Sequence, residues 1–401
     1  MIKVRVGDFR IGAEEKEAVE EVLRSGRISE GPKTCEFEKR FANFVGTEHA
    51  VVLSSGTSAI IAGLTVLKYD GRFSVKQGSK VLTTPLTYIA TSNAIVLSGL
   101  EPVYVDVDER TFGITPENIR AHLEEIDDPK DYSLILPVHL MGYACDMDGI
   151  NRLASEYGLI VFEDSAQAHG TVYNGKKTGS LSLLADFSFY IAHNIQAGEM
   201  GALVTNDSRI ARLVRKVKAN GRMCDCHVCT RSKGSCPRAP KKESDSDPRF
   251  THDVIGYNFK VMEFQAALGL VQLEKAQWII ERRRENVKYL NDCLSKFEGI
   301  LRLPLYSENV SYLAYPLVVE DKKVSRMRLM KKLEELGVET RPLFGCIPTQ
   351  QPAYAHLRKK YEGRLPNAEM LGKMGFYIGC HQYLTQEDLE YVVKCFANAL
   401  G

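Results

Sequence analysis

The strongest constraint on the fold is an alternation of short apolar runs with longer amphipathic patterns. Residues 50–53, 80–84, 103–107, 134–138 and 159–163 are short, mostly apolar runs, the length of strands buried on both faces. Around and between them, apolar residues return at helical spacing, as in 14–26 and 35–45. Strands that alternate with helices predict an α/β fold with a mostly parallel sheet and helices on both faces. A chain of 401 residues with 44% hydrophobic content is long for one domain, which predicts a large domain and a smaller one. From residue 284 the texture changes to helices and short strands, so the expected division is 1–283 and a smaller α/β unit at 284–401.

The chain carries 52 basic and 51 acidic residues, and its net charge is +1. The two signs are interspersed, which argues against a nucleic-acid face; the one short basic run is 238–242. No apolar run is long enough for a membrane span, and the first five residues lead into no signal-peptide core, so a cytoplasmic protein is expected. In that compartment ten cysteines do not imply a disulfide framework. Cys35, Cys145, Cys293, Cys346, Cys380 and Cys395 are scattered and read as small buried or half-exposed residues. Cys224, Cys226, Cys229 and Cys236 instead lie close together in a polar segment, 222–250, that is rich in Gly, Ser and Pro. Four thiolates suit an iron–sulfur cluster or a structural zinc, and spacing leaves the two open. His227 stands among them as a competing ligand.

Three further stretches carry chemistry. Ser54-Ser55-Gly56-Thr57-Ser58 joins an apolar run to a helical pattern, and small residues at such a turn let backbone N–H groups close on an anion. Glu163 and Asp164 end another apolar run, at the edge where open α/β sheets bind ligands. Residues 186–205 read as an aromatic strand, a polar turn helped by Gly198 and Gly201, and a second strand. No G-x-G-x-x-G opens a βαβ unit, so oxidation of NAD(P)H would have to occur on another protein.

These stretches resemble the DegT/StrS family of PLP-dependent sugar aminotransferases. Ser188, Phe189, Asn194, Glu199, Gly201 and Thr205-Asn206-Asp207 follow its S-F-x-x-x-K-N, GEGG and TND pattern. TTPLTYIATSNAI (83–95), EDSAQAHG (163–170), GYNFKVME (256–263), RPLF (341–344) and QPAY (351–354) match other family runs, so the resemblance spans nearly the whole chain. It implies the aspartate-aminotransferase fold, fold type I. It also implies cofactor contacts: Gly56 and Thr57 at the phosphate, Tyr88 stacked on the pyridine ring, Asp164 on the ring nitrogen, Gln167 near the ring hydroxyl, and Ser188 among the cofactor-binding residues. Asn258 would reach the cofactor phosphate of the other subunit of a homodimer.

The family's lysine position is His193, and no lysine lies between Lys177 and Lys216. A histidine there resembles the 4-keto-6-deoxyhexose 3-dehydrases, which use PMP to remove a hydroxyl. The CDP-sugar members carry a redox-active [2Fe–2S] cluster in the region of the four cysteines. Their spacing differs, and Ala166 stands where one of their proposed ligands lies, so a local four-cysteine site could hold [4Fe–4S] instead. The EDSAQAHG run is itself closer to the aminotransferases. The resemblance thus implies PMP-dependent, iron–sulfur-assisted C3 deoxygenation of a nucleotide-linked 4-keto-6-deoxyhexose, with His193 as the base and a near-neutral pKa to suit it. A separate NAD(P)H-dependent reductase or ferredoxin-type donor would supply electrons. The alternative is another lysine-less PMP enzyme, aminotransferase-like or a different deoxygenase, with zinc in the cysteine segment.

Overall fold

The computed structural model describes the chain except residues 1, 127–128, 225, 227–233, 235, 237–238, 241 and 243–245. A seven-stranded sheet organises the first part. Across it lie His49–Leu53, Gly201–Thr205, Leu184–Ser188, Ile160–Asp164, Tyr132–Leu136, Lys80–Thr83 and Glu101–Tyr104. Only Gly201–Thr205 runs against its neighbours; the remaining pairings are parallel. Tyr132–Leu136 is buried at every position, as expected for a central parallel strand covered on both faces.

The expected strands form, with bounds shifted by no more than three residues. The largest shift replaces 103–107 by Glu101–Tyr104, which places Pro102 inside a strand. That is tolerated because this strand is the last of the sheet, where a missing N–H breaks no second ladder. Beyond residue 262 the chain forms two successive helices, Glu263–Glu274 and Ala276–Leu294, with Lys275 between them.

Helix Gly56–Tyr69 packs on one face of the sheet; on the other lie Pro32–Val45 and Glu263–Glu274, themselves in contact. Each face has its own apolar core. Phe162, Leu184 and Leu203 join Ala59, Ile60 and Ala62 on the first. Phe187 and Phe189 join Phe37 and Phe41 on the second, where the Phe41 ring meets both edge-on at 5.0 and 4.9 Å. Helix Pro32–Val45 begins after Gly31, which has no side chain to cap it. The buried carboxylate of Glu263 takes that role, accepting from the N–H groups of Gly31, Lys33 and Thr34 and from the Thr34 hydroxyl.

A second, antiparallel sheet holds Leu301–Arg302, Tyr315–Val319, Gly375–Ile378 and Thr340–Pro342 in that order. The chain's first residues attach to this part: Lys3 and Val4 N–H donate to the Gly337 carbonyl, and Val6 N–H donates to Glu339. Helix Ala276–Leu294 runs unbroken through residues 283 and 284. The C-terminal part reaches back over the first sheet, where Tyr354 Oη donates to Asn93 Oδ1 at 2.8 Å and Ile347 N–H to the Pro85 carbonyl at 2.7 Å. No helix among the described residues is long and apolar enough to cross a membrane.

Candidate active site

The C-terminal edge of the parallel strands gathers most of the residues expected there. Asp164 ends its strand, and its carboxyl is 4% exposed. Thr91 Oγ1 donates to Asp164 Oδ2 at 2.9 Å, and Ala166 N–H donates to Oδ1 at 3.2 Å. Burial raises the Asp164 pKa, while those two donors pull it back down. A buried carboxylate so placed gains from a cation, which is what a protonated ring nitrogen supplies. Glu163, its neighbour in sequence, points to the other face because side chains alternate along a strand. There it accepts from Gly179 and Leu181 N–H, Ser182 Oγ and His139 Nε2, pinning the loop that precedes the next strand.

The phosphate cradle forms at the start of helix Gly56–Tyr69. Ser55 and Ser58 cap each other: Ser55 Oγ accepts from Ser58 N–H at 3.1 Å, and Ser58 Oγ from Ser55 N–H at 2.9 Å. That satisfies Ser58 N–H, whereas the N–H groups of Gly56 and Thr57 have no intrahelical acceptor and point out of the helix end. Ser188, the last residue of its strand, lies against this turn. A Cβ on Gly56 would stand 2.7 Å from Ser188 Cβ, and one on Gly201 would stand 2.2 Å from the Ser55 carbonyl oxygen. Two glycines thus let three backbone segments close around a space fitted to an anion.

Tyr88 is 62% exposed on the segment before Ala90–Leu97, with its ring 6.2 Å from that of Phe344. Gln167 is buried and accepts from Met141 N–H through Oε1 at 2.9 Å; its Nε2 has no partner among the described residues. The chemistry of these residues suits a pyridoxamine-type cofactor, for which Gly56 and Thr57 would hold the phosphate, Tyr88 would face the ring, Asp164 would meet the ring nitrogen and Gln167 the ring hydroxyl. Such a group, when bound, acts as an electron sink beside a substrate carbon.

His193 lies in the connection between Ser188 and Gly201. This connection folds back on itself, with Phe189 N–H bonded to the Met200 carbonyl and Ala197 N–H to the Phe189 carbonyl, both at 2.8 Å; Gly198 takes φ +84°. His193 N–H bonds to the Tyr190 carbonyl at 2.8 Å, and its own carbonyl accepts from Gln196 Nε2 at 2.9 Å. Its Nδ1 is buried without a partner among the described residues. Burial pushes its pKa down to about 4, with the charge of Arg283 adding to the effect. Burial thus carries it below the near-neutral unperturbed value, and this imidazole is uncharged at neutral pH.

Arg283 is one of the residues that sequence reasoning did not find. It is 1% exposed and no carboxylate pairs with it among the described residues. Its Nη1 donates to the Leu313 and Tyr312 carbonyls at 2.6 and 3.3 Å, and its Nε to Gln382 Oε1 at 3.2 Å. His169 was also missed. It is fully buried 6.1 Å from the His193 ring, with both nitrogens unpartnered among the described residues and its pKa held well below the ordinary value by burial. Nothing in periodicity marks either one.

Asn258 does not join this cluster. It is exposed, accepts from Lys260 Nζ, and lines a separate cavity of about 570 Å³. Arg27, Lys218, Arg222 and Lys260 also line that cavity, as do Cys224 and Cys226. Cys236 is half-buried, while Cys229 and His227 fall outside the described residues. Among the described residues no group of three or more His, Cys, Asp or Glu side chains is arranged to hold a metal.

The chain matches the DegT/DnrJ/EryC1/StrS aminotransferase family over residues 10–397. It belongs to that family. A curated relative, the lipopolysaccharide biosynthesis protein RfbH of Salmonella typhimurium, is 32% identical over 98% of this chain and 90% of its own length. The dTDP-4-dehydro-2,6-dideoxy-D-glucose 3-dehydratase of Saccharopolyspora spinosa is 31% identical over 98% and 86%. Among solved structures, Escherichia coli GDP-4-keto-6-deoxy-D-mannose-3-dehydratase with bound hydrated PLP superposes with TM-score 0.85 at 25% identity, over 99% of this chain and 100% of that one. Aminotransferases of the family also superpose closely. The protein is thus a PLP/PMP-type sugar enzyme of the DegT family, with the fold its relatives share.

Proposed function

We propose that this protein removes the C3 hydroxyl of a nucleotide-linked 4-keto-6-deoxyhexose with PMP as cofactor. The observation that carries the reading is His193: an uncharged imidazole, with one nitrogen free to accept a proton, stands where the family pattern has its lysine, on the loop that joins Ser188 to Gly201. An imidazole cannot form the covalent link to PLP that a lysine forms, but it can accept a proton. His193 takes the proton from cofactor C4′, Asp164 holds the ring nitrogen protonated, and Gly56, Thr57 and Ser188 hold the phosphate. The names of the two 3-dehydratases among the relatives support the same chemistry.

Loss of a hydroxyl by elimination leaves a product two electrons short. Cys224, Cys226, Cys229 and Cys236 would hold an iron–sulfur cluster, [2Fe–2S] or [4Fe–4S] by their chemistry, which would supply one-electron reduction. The electrons come from a separate NAD(P)H-dependent reductase or ferredoxin-type protein. Asn258, exposed on the rim of the separate cavity, serves the site of the second subunit of a homodimer.

The test is solvent deuterium exchange into C4′ of bound PMP in the presence of a nucleotide-linked 4-ketosugar. The wild type should exchange, and His193→Asn should bind PMP yet exchange roughly 10²–10⁴-fold more slowly, the usual contribution of a general base. Exchange at the wild-type rate in that variant would remove His193 from the role.

A further inference from the structure

Asp186 is a second carboxyl in the floor of the site, and the chemistry above does not use it. Strand Leu184–Ser188 pairs in parallel register with Ile160–Asp164, so that Asp186 stands directly opposite Asp164. Register partners on adjacent strands present their side chains to the same face, and the strands are about 4.8 Å apart. Two aspartates so placed can bring their oxygens within hydrogen-bond distance by side-chain rotation alone. Asp186 is wholly buried, and neither of its oxygens has a partner among the described residues. Asp164 has acceptor capacity to spare, since each of its oxygens receives a single donor and has two lone pairs.

The charges around Asp186 are unfavourable to a second anion. Strand Ile160–Asp164 contributes Asp164 and Glu163, both acidic. Strand Gly201–Thr205, on the other side, has no titratable residue, and Leu203 is the partner of Asp186. Helix Gly56–Tyr69 covers this face, and its charged residue, Lys68, lies at the far end from the strand edge. The positive end of that helix meets Ser188, two residues beyond Asp186, where the phosphate cradle lies. Burial and the neighbouring carboxylates together push the Asp186 pKa well above the ordinary aspartate value.

We propose that Asp186 is an un-ionised carboxylic acid that donates a hydrogen bond to Asp164, so that the two carboxyls carry one negative charge between them. Asp186 is then a positioning residue. It fixes the rotamer of Asp164 and disperses the charge that meets the ring nitrogen. This rests on the reading of Asp164 given above only for its consequence at the cofactor, because the shared proton is a property of the cofactor-free protein.

The experiment is infrared difference spectroscopy on the cofactor-free chain at neutral pH, with thermal unfolding as a second readout. The wild type minus Asp186→Asn should show the carbonyl stretch of one protonated carboxylic acid. In Asp164→Asn that band should move to higher frequency, because the acceptor changes from a carboxylate to an amide. Absence of the band, or a band that ignores Asp164→Asn, overturns the proposal.

The unfolding arm has a defined sign. A folded pKa above the unfolded value gives stability that is fully present below the unfolded pKa and lost as pH rises towards the folded one. The Tm of Asp186→Asn minus that of the wild type should therefore climb from pH 4 to pH 8, by about 1–2 °C for each pKa unit of the shift in a chain of this length. A flat or falling difference counts against the acid form. PMP titration of Asp164→Asn separately tests the cofactor role of Asp164, so the two readings can fail independently.

Discussion

His193 shows how far a single residue can be read from sequence, and where the reading stops. Its place at the family's lysine position was legible in the run from Ser188 to Asp207. Its protonation was not, because the burial and the Arg283 charge that set it come from tertiary packing ninety residues away. The consequence is a pH profile. A histidine whose folded pKa lies below its unfolded value of about 6.5 adds stability that is present above that value and lost as pH falls through the folded one. As a base it stays competent over the same range. The C4′ exchange rate should accordingly keep its His193-dependent acid limb near pH 4; a limb near 6.5 would mean that the imidazole is solvated in the working enzyme. Asp164 was equally legible, at a strand end in the E-D run, but Asp186 was not, since an aspartate inside an aromatic strand gives no signal until its register partner is known.

At the scale of elements, strands and cradle followed from short apolar runs and the serine-rich turn, because both are local signals. What sequence could not supply was the connection between distant elements. Glu263 ends the GYNFKVME run, and its carboxylate caps helix Pro32–Val45 from more than two hundred residues away. This is a buried anion at a helix N-terminus holding four donors, so removing it leaves those donors unpaired. Glu263→Ala should cost about 2–3 kcal/mol of unfolding free energy in denaturant titration. A loss below about 0.5 kcal/mol would show that water replaces the carboxylate without penalty. The strand predicted at 103–107 shows the opposite limit: the apolar pattern placed it correctly, but Pro102 obscured where it begins.

For the whole molecule, the α/β class and its mostly parallel sheet were legible from alternation, and the chain's family membership extends from residue 10 to 397. The expected boundary at 283/284 falls inside helix Ala276–Leu294, and residues 3–6 attach to the C-terminal part. In the proposed reaction the cysteine segment would deliver electrons to the site. Ser replacement of Cys224, Cys226, Cys229 or Cys236 should lower iron and sulfide content and stop reductase-coupled turnover while C4′ exchange survives. About one zinc per chain with no iron would instead make the segment structural.

The central claim is that a family of aminotransferases has here been turned to deoxygenation by placing a neutral imidazole where a lysine would stand. Product analysis tests it most directly: the anaerobically purified protein is given PMP, a panel of nucleotide-linked 4-keto-6-deoxyhexoses, an electron-transfer reductase and glutamate, and the sugar is examined by carbon NMR. The account predicts a methylene carbon at C3 and no amine at C4 for the accepted substrate. A 4-amino sugar with its C3 hydroxyl intact would contradict it.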